Sequence, residues 1–556
     1  MDKQAFDWVT DDIRTFLSRG YITEGTVEQR YRVIADNVEK ITGIKGIADK
    51  VYEYSSKNFL SFSSPILSNF GTEKGLPISC NFGAVSDTLH SILHGMYEMG
   101  MLAKNGAGTA KNLSAIRGYG QVYGKDKLGK SEGLISWANE YSSIISKVNQ
   151  GGIRRGFLTI YCSVDHPEID WFLNIGANGD ERIPGYSIKN ITTGVTIPKG
   201  WIESMKSGDK EKREIYAKIL KRRSEIGFPY ILFEDNCDDN KPQVYHDKDM
   251  RIFTSNICTE VIEYCDDEKE FACCLMSLNL ANYDEWPDDL IFVANIILDA
   301  VISEYIEKGK NIPGLEKAVR FAEEHRAIGV GVLGFHTYLQ KKMIPFGGIQ
   351  SYQVNEKIFK RLREESDEAS KWMAQQWGEP KMLEGYGYRN TTRIAIAPTK
   401  STSFIMGGIS PSIEPIKSNF HEKTLAKIQT TFKNPELKEV LKKYGKDDKA
   451  TWNSILENNG SVQHLDFLSE NEREVFKTFS EVSQVDIIKL AAQRQRYIDQ
   501  GQSINLMIHP KTSPKDVSNL VLLAHEEGIK TLYYQYSINA AQAFNEDLMT
   551  CSACEA

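Results

Sequence analysis

Asn256, Cys258 and Glu260 alternate within the segment TSNICTEVI. In a strand or extended loop, alternate residues face the same side, so an amide, a thiol and a carboxylate would converge on one face. Such a set can hold a hydroxyl, react through sulfur and move a proton. Taken alone, Cys258 reads better as a buried structural thiol. The same holds for Cys80, in LPISCNFG, and Cys273, in FACCLMSLNL: nothing in their spacing brings them together, and Cys274 beside Cys273 shows that core thiols are common here. Cys551 and Cys554 form a CxxC just before the C-terminus. A zinc site needs about four ligands, and no second CxxC or nearby His pair supplies them, so this pair reads as a mobile dithiol. The stretch RIAIAPTKSTSFIMGG reads as a strand, a turn opened by Pro398, and a hydroxyl-rich helix start at Thr399, Lys400, Ser401, Thr402 and Ser403. Backbone N–H groups at a helix N-terminus bind a diphosphate without net positive charge; ordinary Ser/Thr capping is the alternative.

These residues need elements to position them, and the composition says what kind. The chain has 556 residues, 41 % hydrophobic and 26 % charged, an ordinary composition for a folded protein of several domains or one decorated α/β unit. Its formal net charge is −8, with a sequence pI near 5.8, which argues against a broad nucleic-acid surface. No run of about 18 apolar residues suggests a membrane span. The N-terminus, MDKQAFDWVTDD, is acidic where a leader peptide is basic, so a cytoplasmic location is expected. Nine cysteines, an odd number, argue against a disulfide framework.

Along the chain, Phe6, Val9, Ile13 and Phe16 recur at helical spacing, and Val33, Val38 and Ile41 do so more loosely, so the beginning reads as helices. From Ser61 to Cys80 the chain reads as extended segments and turns. Asp87 to Lys104 reads as an amphipathic helix, with Asp87 near its start and Leu89, Ile92, Leu93, Met96 and Tyr97 on one face. That stripe serves either core packing or a subunit interface. Short apolar strands (GVTIP, PYILF, GVGVLGF and RIAIAP) alternate with helical stretches, which favours a mostly parallel α/β core. Pro435 to Asp499 reads as helical and highly charged, with a solvated turn at Lys442 to Lys449. After Tyr536 periodicity is lost.

Taken together, Cys80, the Asn256-x-Cys258-x-Glu260 motif, Cys273 ahead of SLNL, Tyr533-Tyr534 in KTLYYQ and the terminal CxxC occur in one order. In this order the chain resembles the large catalytic subunits of class I ribonucleotide reductases, from about Ala5 to Ala556. The resemblance implies a ten-stranded α/β barrel of two five-stranded parallel halves (63–536) with Cys258 on a central finger loop. A helical region (1–62) would precede it, and a redox tail (537–556) would follow. Cys258 would become a thiyl radical and take the 3′-hydrogen of a ribonucleotide. Glu260 would accept the 3′-hydroxyl proton and Asn256 would hold the neighbouring oxygen. Cys80 and Cys273 would protonate the leaving 2′-hydroxyl and supply two electrons, ending as a disulfide. Tyr533 and Tyr534 would relay the radical from a metal-containing small (β) subunit. Cys551 and Cys554 would pass electrons in from thioredoxin or glutaredoxin. No tightly bound cofactor is expected in this chain.

The resemblance also places the substrate phosphates on Pro398 to Ser403, and Ser64 and Ser79 near the substrate. Lys400 stands where some relatives carry an acidic residue, which leaves its contact open. Asp87 and Arg117, in LSAIRGYG, match residues that hold a dNTP or ATP effector with Mg2+. Gln150 and Arg154 lie in the stretch Gln150 to Gly156 that matches the loop reporting effector identity to the substrate base. The Asp87 to Lys104 helix would build a homodimer. No N-terminal ATP cone is expected, because the chain starts almost directly at the helical region. An adenosylcobalamin-dependent class II reductase is the alternative. The adjacent tyrosines, otherwise plain β-formers, favour class I. A glycyl-radical enzyme lacks support, since no RVxGY motif lies near the C-terminus. A non-catalytic nucleotide sensor would not need all five cysteines, Asn256 and Glu260.

Overall fold

The computed structural model describes residues 5–78, 80–124, 129–150, 154–155, 157–175, 188, 191–425 and 428–537. Three helices open it: α1 (Asp11–Ser18), α2 (Val27–Thr42) and α3 (Ile47–Ser56). Thr26 and Gln29 form a capping box at the start of α2, and Gly43, at φ 70°, ends it in the left-handed conformation that glycine tolerates. Phe6, Val9, Ile13 and Phe16 are buried as their spacing predicts, whereas Val33 faces solvent. A short strand, β1 (Leu60–Phe62), follows. The segment read as extended from Ser61 onward then turns into a helix, α4 (Ser64–Asn69). Pro65 sits in its first turn, where the missing N–H costs nothing, so this proline opens a helix.

Five strands form a parallel run: β2 (Cys80–Ala84), β3 (Gly108–Asn112), β4 (Leu158–Ser163), β5 (Ile191–Ile197) and β6 (Tyr230–Phe233). A second parallel run contains β8 (Leu275–Asn279), β9 (Gly329–Leu333), the bridged segment 394–396, the segment from Gln502 into β10 (Leu506–Ile508), and β12 (Gln535–Ser537). Two antiparallel seams join the runs: β7 (Phe271–Ala272) pairs with β2, and β11 (Thr531–Leu532) pairs with β6. Because β7 leads into β8 and β11 into β12, the pairing closes into a ring of ten strands. The expected barrel of two five-stranded halves is therefore present. β1 adds antiparallel to β8 outside the ring.

Helices between successive strands cover the outside, as parallel strands require. α5 (Leu89–Lys104) and α6 (Gly133–Lys147) pack on the first half, and α7 (Leu290–Gly309), apolar nearly all round, lies buried between the second half and the N-terminal helices. Thr88 caps α5, its side chain accepting from the Ser91 N–H, so Asp87, one position earlier, lies outside the cap. The stripe read on α5 also divides. Ile92 and Met96 are buried, while Leu89, Leu93 and Tyr97 are 61, 49 and 46 % exposed. The charged segment from Pro435 is helical at Pro435–Lys443, Lys449–Glu457, Glu470–Val475 and Gln484–Gln495. An antiparallel hairpin, Phe420–Leu425 with Ile428–Lys433, precedes it and was not legible in the sequence. No described helix is long and apolar enough to cross a membrane.

Candidate active site

The segment 253–262 crosses the interior of the barrel, held from both halves. Asn112 on β3 donates to the Phe253 carbonyl (2.7 Å) and the Tyr161 hydroxyl on β4 to the Asn256 carbonyl (2.7 Å). From the other half, the Gly501 N–H donates to the Glu260 carbonyl (2.8 Å), Thr531 to the Thr259 carbonyl (2.8 Å) and Ser503 to the Cys258 carbonyl (2.5 Å). Buried carbonyls demand such partners. Asn256, Cys258 and Glu260 converge as expected, but not by strand alternation. The chain turns here, and Thr259 takes φ 69°, a conformation costly for a β-branched residue. Strain of about 1–3 kcal/mol at such a position persists only where the surroundings enforce it.

The Asn256 amide donates to Glu260 Oε1 (2.9 Å), and its carbonyl oxygen accepts from the Val261 N–H (3.2 Å). Ser503 lies 2.9 Å from Glu260 Oε2. Asn256 and Glu260 are each 2 % exposed, so the carboxyl group meets designed partners rather than bulk water.

Sheet register unites the two distant cysteines. Ala272 pairs with Asn81 and Phe271 with Phe82; one step further sets Cys273 opposite Cys80, and the Cys273 N–H donates to the Cys80 carbonyl (2.9 Å). Opposed residues of an antiparallel pair have side chains on one face at a separation that a disulfide spans. Both thiols are free, and they touch. Burial, with the Cys80 thiol beside it, pushes Cys273 well above the usual thiol range, so it stays protonated and can give up hydrogen.

Cys80, Asn256, Cys258, Glu260 and Cys273 line one cavity of about 110 Å³. Pro398, Thr399, Ser401 and Thr402 line the same cavity, at the start of α8 (Lys400–Ile405), which Thr399 precedes as N-cap residue. Lys400 and Ser403 do not. Lys400 lies over the Tyr536 ring (5.5 Å) and the Ser403 hydroxyl donates to the Lys400 carbonyl (2.9 Å). Ser64, in the first turn of α4, is buried but does not line the cavity, whereas Ser61 and Ser63 do. Ser79, Cys551 and Cys554 lie outside the described residues.

The Tyr533 hydroxyl stands 3.6 Å from Cys258 Sγ. The Tyr534 ring follows, 4.4 Å from that of Tyr533 between centroids. Both backbones are fixed: the Tyr533 N–H donates to the Ile504 carbonyl (2.8 Å) and the Tyr534 N–H to Asn505 Oδ1 (3.0 Å). Tyr230, whose ring lies 4.6 Å from Tyr533 and 5.1 Å from Tyr534, completes an aromatic cluster. Sequence reading took Tyr230 only as a strand residue, and it singled out neither Tyr161 nor Ser503. No motif marks these three, because only the closed barrel brings them to the loop.

At the far end of the first half, Arg117 Nε meets Asp87 Oδ2 (2.6 Å) and the Arg117 N–H meets Oδ1 (3.2 Å). The guanidinium also lies over the Tyr123 ring (5.1 Å). The two residues expected to share a site thus touch. Gln150 and Arg154 are Cα partners in a small antiparallel ladder; residues 151–153 between them are outside the described set.

Comparison with known proteins gives one consistent answer. The family model described as the ribonucleotide reductase barrel domain matches residues 78–212, 204–382 and 375–535. The chain is 31 % identical to the ribonucleoside-diphosphate reductase large subunit of Invertebrate iridescent virus 3, covering 88 % of this chain and 87 % of the relative. It is 27 % identical to the large subunit of Caenorhabditis elegans, over 89 % of this chain and 72 % of that one. Among solved structures, the class Id ribonucleotide reductase alpha subunit of Actinobacillus ureae superposes with a TM-score of 0.90 at 44 % identity, covering 97 % of this chain and 99 % of that one.

Proposed function

The chain belongs to the ribonucleotide reductase family and reduces ribonucleotides to 2′-deoxyribonucleotides, and on that premise we propose how its residues divide the chemistry. The radical arrives from a metal-containing β subunit and passes through Tyr534 and Tyr533 to Cys258. The Cys258 thiyl takes the 3′-hydrogen atom, while Glu260 accepts the 3′-hydroxyl proton and Asn256 holds the adjacent oxygen. The 2′-hydroxyl takes a proton from the Cys80–Cys273 pair and leaves as water. That pair supplies two electrons and closes as a disulfide, and Cys258 returns the hydrogen to C3′. Net, one ribonucleotide and two thiols give one deoxyribonucleotide, one water and one disulfide.

The substrate is read as a diphosphate, as in the names of the relatives. Its phosphates would meet Thr399, Ser401 and Thr402 and the backbone N–H groups that open α8. A dNTP or ATP effector with Mg2+ would sit at Asp87 and Arg117 and be reported through Gln150 and Arg154. The Asp87–Arg117 pair is about one-third exposed, and exposed pairs are worth little, so a triphosphate can displace it cheaply. The exposed Leu89, Leu93 and Tyr97 support a homodimer through α5. The same proposal divides the chain at 62 and 536, sets it in the cytoplasm, and has Cys551 and Cys554 renewed by thioredoxin or glutaredoxin.

The contact that carries this reading is Tyr533 at 3.6 Å from Cys258, with the Tyr534 ring packed at a tilt beyond it. It favours a radical delivered from outside over one made by adenosylcobalamin within. Tyr533→Phe and Tyr534→Phe keep the ring but lose the oxidisable O–H. Each is expected to stop CDP reduction supported by the β subunit, with nucleotide affinity unchanged by calorimetry. Undiminished turnover in both variants, or turnover on adenosylcobalamin alone, would favour the class II reading.

A further inference from the structure

Ser503 does not line the substrate cavity, yet its hydroxyl joins the two groups on which the chemistry turns. Its Oγ lies 2.5 Å from the Cys258 carbonyl and 2.9 Å from Glu260 Oε2. The other Glu260 oxygen is already engaged by the Asn256 amide at 2.9 Å. Ser503 itself is 2 % exposed, and the N–H of Ser503 donates to the Ile396 carbonyl (2.9 Å) across the second half of the barrel. The hydroxyl is therefore mounted on a fixed strand rather than on the loop it grips.

A serine hydroxyl has one hydrogen and two acceptor lone pairs. While Glu260 is ionised, both oxygens facing Ser503 are acceptors, and one hydrogen cannot fully serve two. Once Glu260 has taken a proton on Oε2, that new O–H can donate to Ser503 Oγ, and the serine hydrogen is free for the Cys258 carbonyl. Two hydrogens then serve two bonds. Around Ser503, the arrangement with one hydrogen for each of its two bonds is thus the one reached after the 3′-hydroxyl proton has moved.

We propose that Ser503 is a positioning residue that stabilises Glu260 in its proton-bearing state and at the same time holds the Cys258 turn in place. The inference rests on the roles given above to Cys258 and Glu260. It makes the proton transfer and the posture of the radical-bearing residue one coupled event, carried by a side chain that touches no substrate.

The test uses the holoenzyme, this chain with its β subunit, CDP as substrate and dithiothreitol as reductant. Leaving a buried polar group without its partner costs about 1–3 kcal/mol, so Ser503→Ala is expected to lower kcat on the order of ten- to hundredfold. KM for CDP should stay within about twofold, because no contact to the nucleotide is lost. Ser503→Thr keeps the hydroxyl and should recover most of kcat; Ser503→Cys, a weak donor of similar size, should not. The Thr and Cys pair decides the matter even if the alanine variant does not fold. Unchanged kcat in Ser503→Ala, a loss confined to KM, or equal turnover in the Thr and Cys variants would overturn the proposal. A wild-type holoenzyme that forms no deoxyribonucleotide would overturn the underlying reading as well, so the two failures are distinguishable.

Discussion

A carboxylate that takes a proton and later returns it must be held in both states, and the surroundings of Glu260 suit that task. Asn256 donates to one oxygen and Ser503 faces the other. Glu260→Gln keeps the shape but cannot accept a proton, and general-base catalysis is worth about 10²–10⁴-fold. Turnover of the glutamine variant should fall by at least about a hundredfold, with an unchanged melting temperature. Activity within twofold of wild type would remove Glu260 from the role of base. The identity of this site was legible in residue types and spacing, for Asn256, Cys258 and Glu260 do converge. The reason given by alternation was not the operative one, since the turn at Thr259, φ 69°, aims them. Ser503 and Tyr161 were invisible because a lone hydroxyl carries no pattern; only the barrel shows what it faces.

At the scale of elements, α5 shows how one residue alters a reading. Thr88 supplies the cap, and Asp87, one position earlier, is left to meet Arg117 (2.6 Å). Asp and Thr are both acceptable caps by type, so residue type alone does not say which of the two starts the helix. Asp87→Ala or Arg117→Ala should weaken binding of a dNTP effector by about tenfold, the size of one charge-assisted hydrogen bond. The melting temperature should hardly move, since an exposed pair contributes little. Calorimetry with unchanged affinity in both variants would place the effector elsewhere. The same helix splits its apolar stripe between core and surface, Ile92 and Met96 inward, Leu89 and Leu93 outward. Periodicity reports that a face is apolar but not what covers it. α4 escaped notice because a stretch rich in Ser, Pro and Gly reads as extended segments and turns, although proline in a first helical turn is a start signal, as Pro65 is here.

For the whole molecule, alternation of strand and helix revealed parallel pairing, but closure of the ring depends on two antiparallel seams and a bridged segment at 394–396 too short to register as a strand. One buried group links loop and barrel. Glu263 accepts from the Tyr245 hydroxyl (2.7 Å) and from Thr392, and burial pushes its carboxyl up to about 8 against the favourable hydroxyl contacts. Because the folded value lies above the unfolded one, the native state binds this proton more tightly. Its contribution is fully present below about 4.5, declines as pH rises, and is spent above about 8. Glu263→Gln should therefore flatten the fall in unfolding free energy between pH 5 and 8, by denaturant titration; parallel curves for the two proteins would contradict this. The central claim, that this barrel reduces ribonucleotides through a radical on Cys258, is tested most directly by a single turnover. Pre-reduced Cys258→Ala and wild-type chains would be mixed with the β subunit and CDP, and deoxyribonucleotide counted per active site. The account predicts product from the wild type and none from Cys258→Ala, with substrate affinity matched; measurable deoxyribonucleotide from the alanine variant would contradict it.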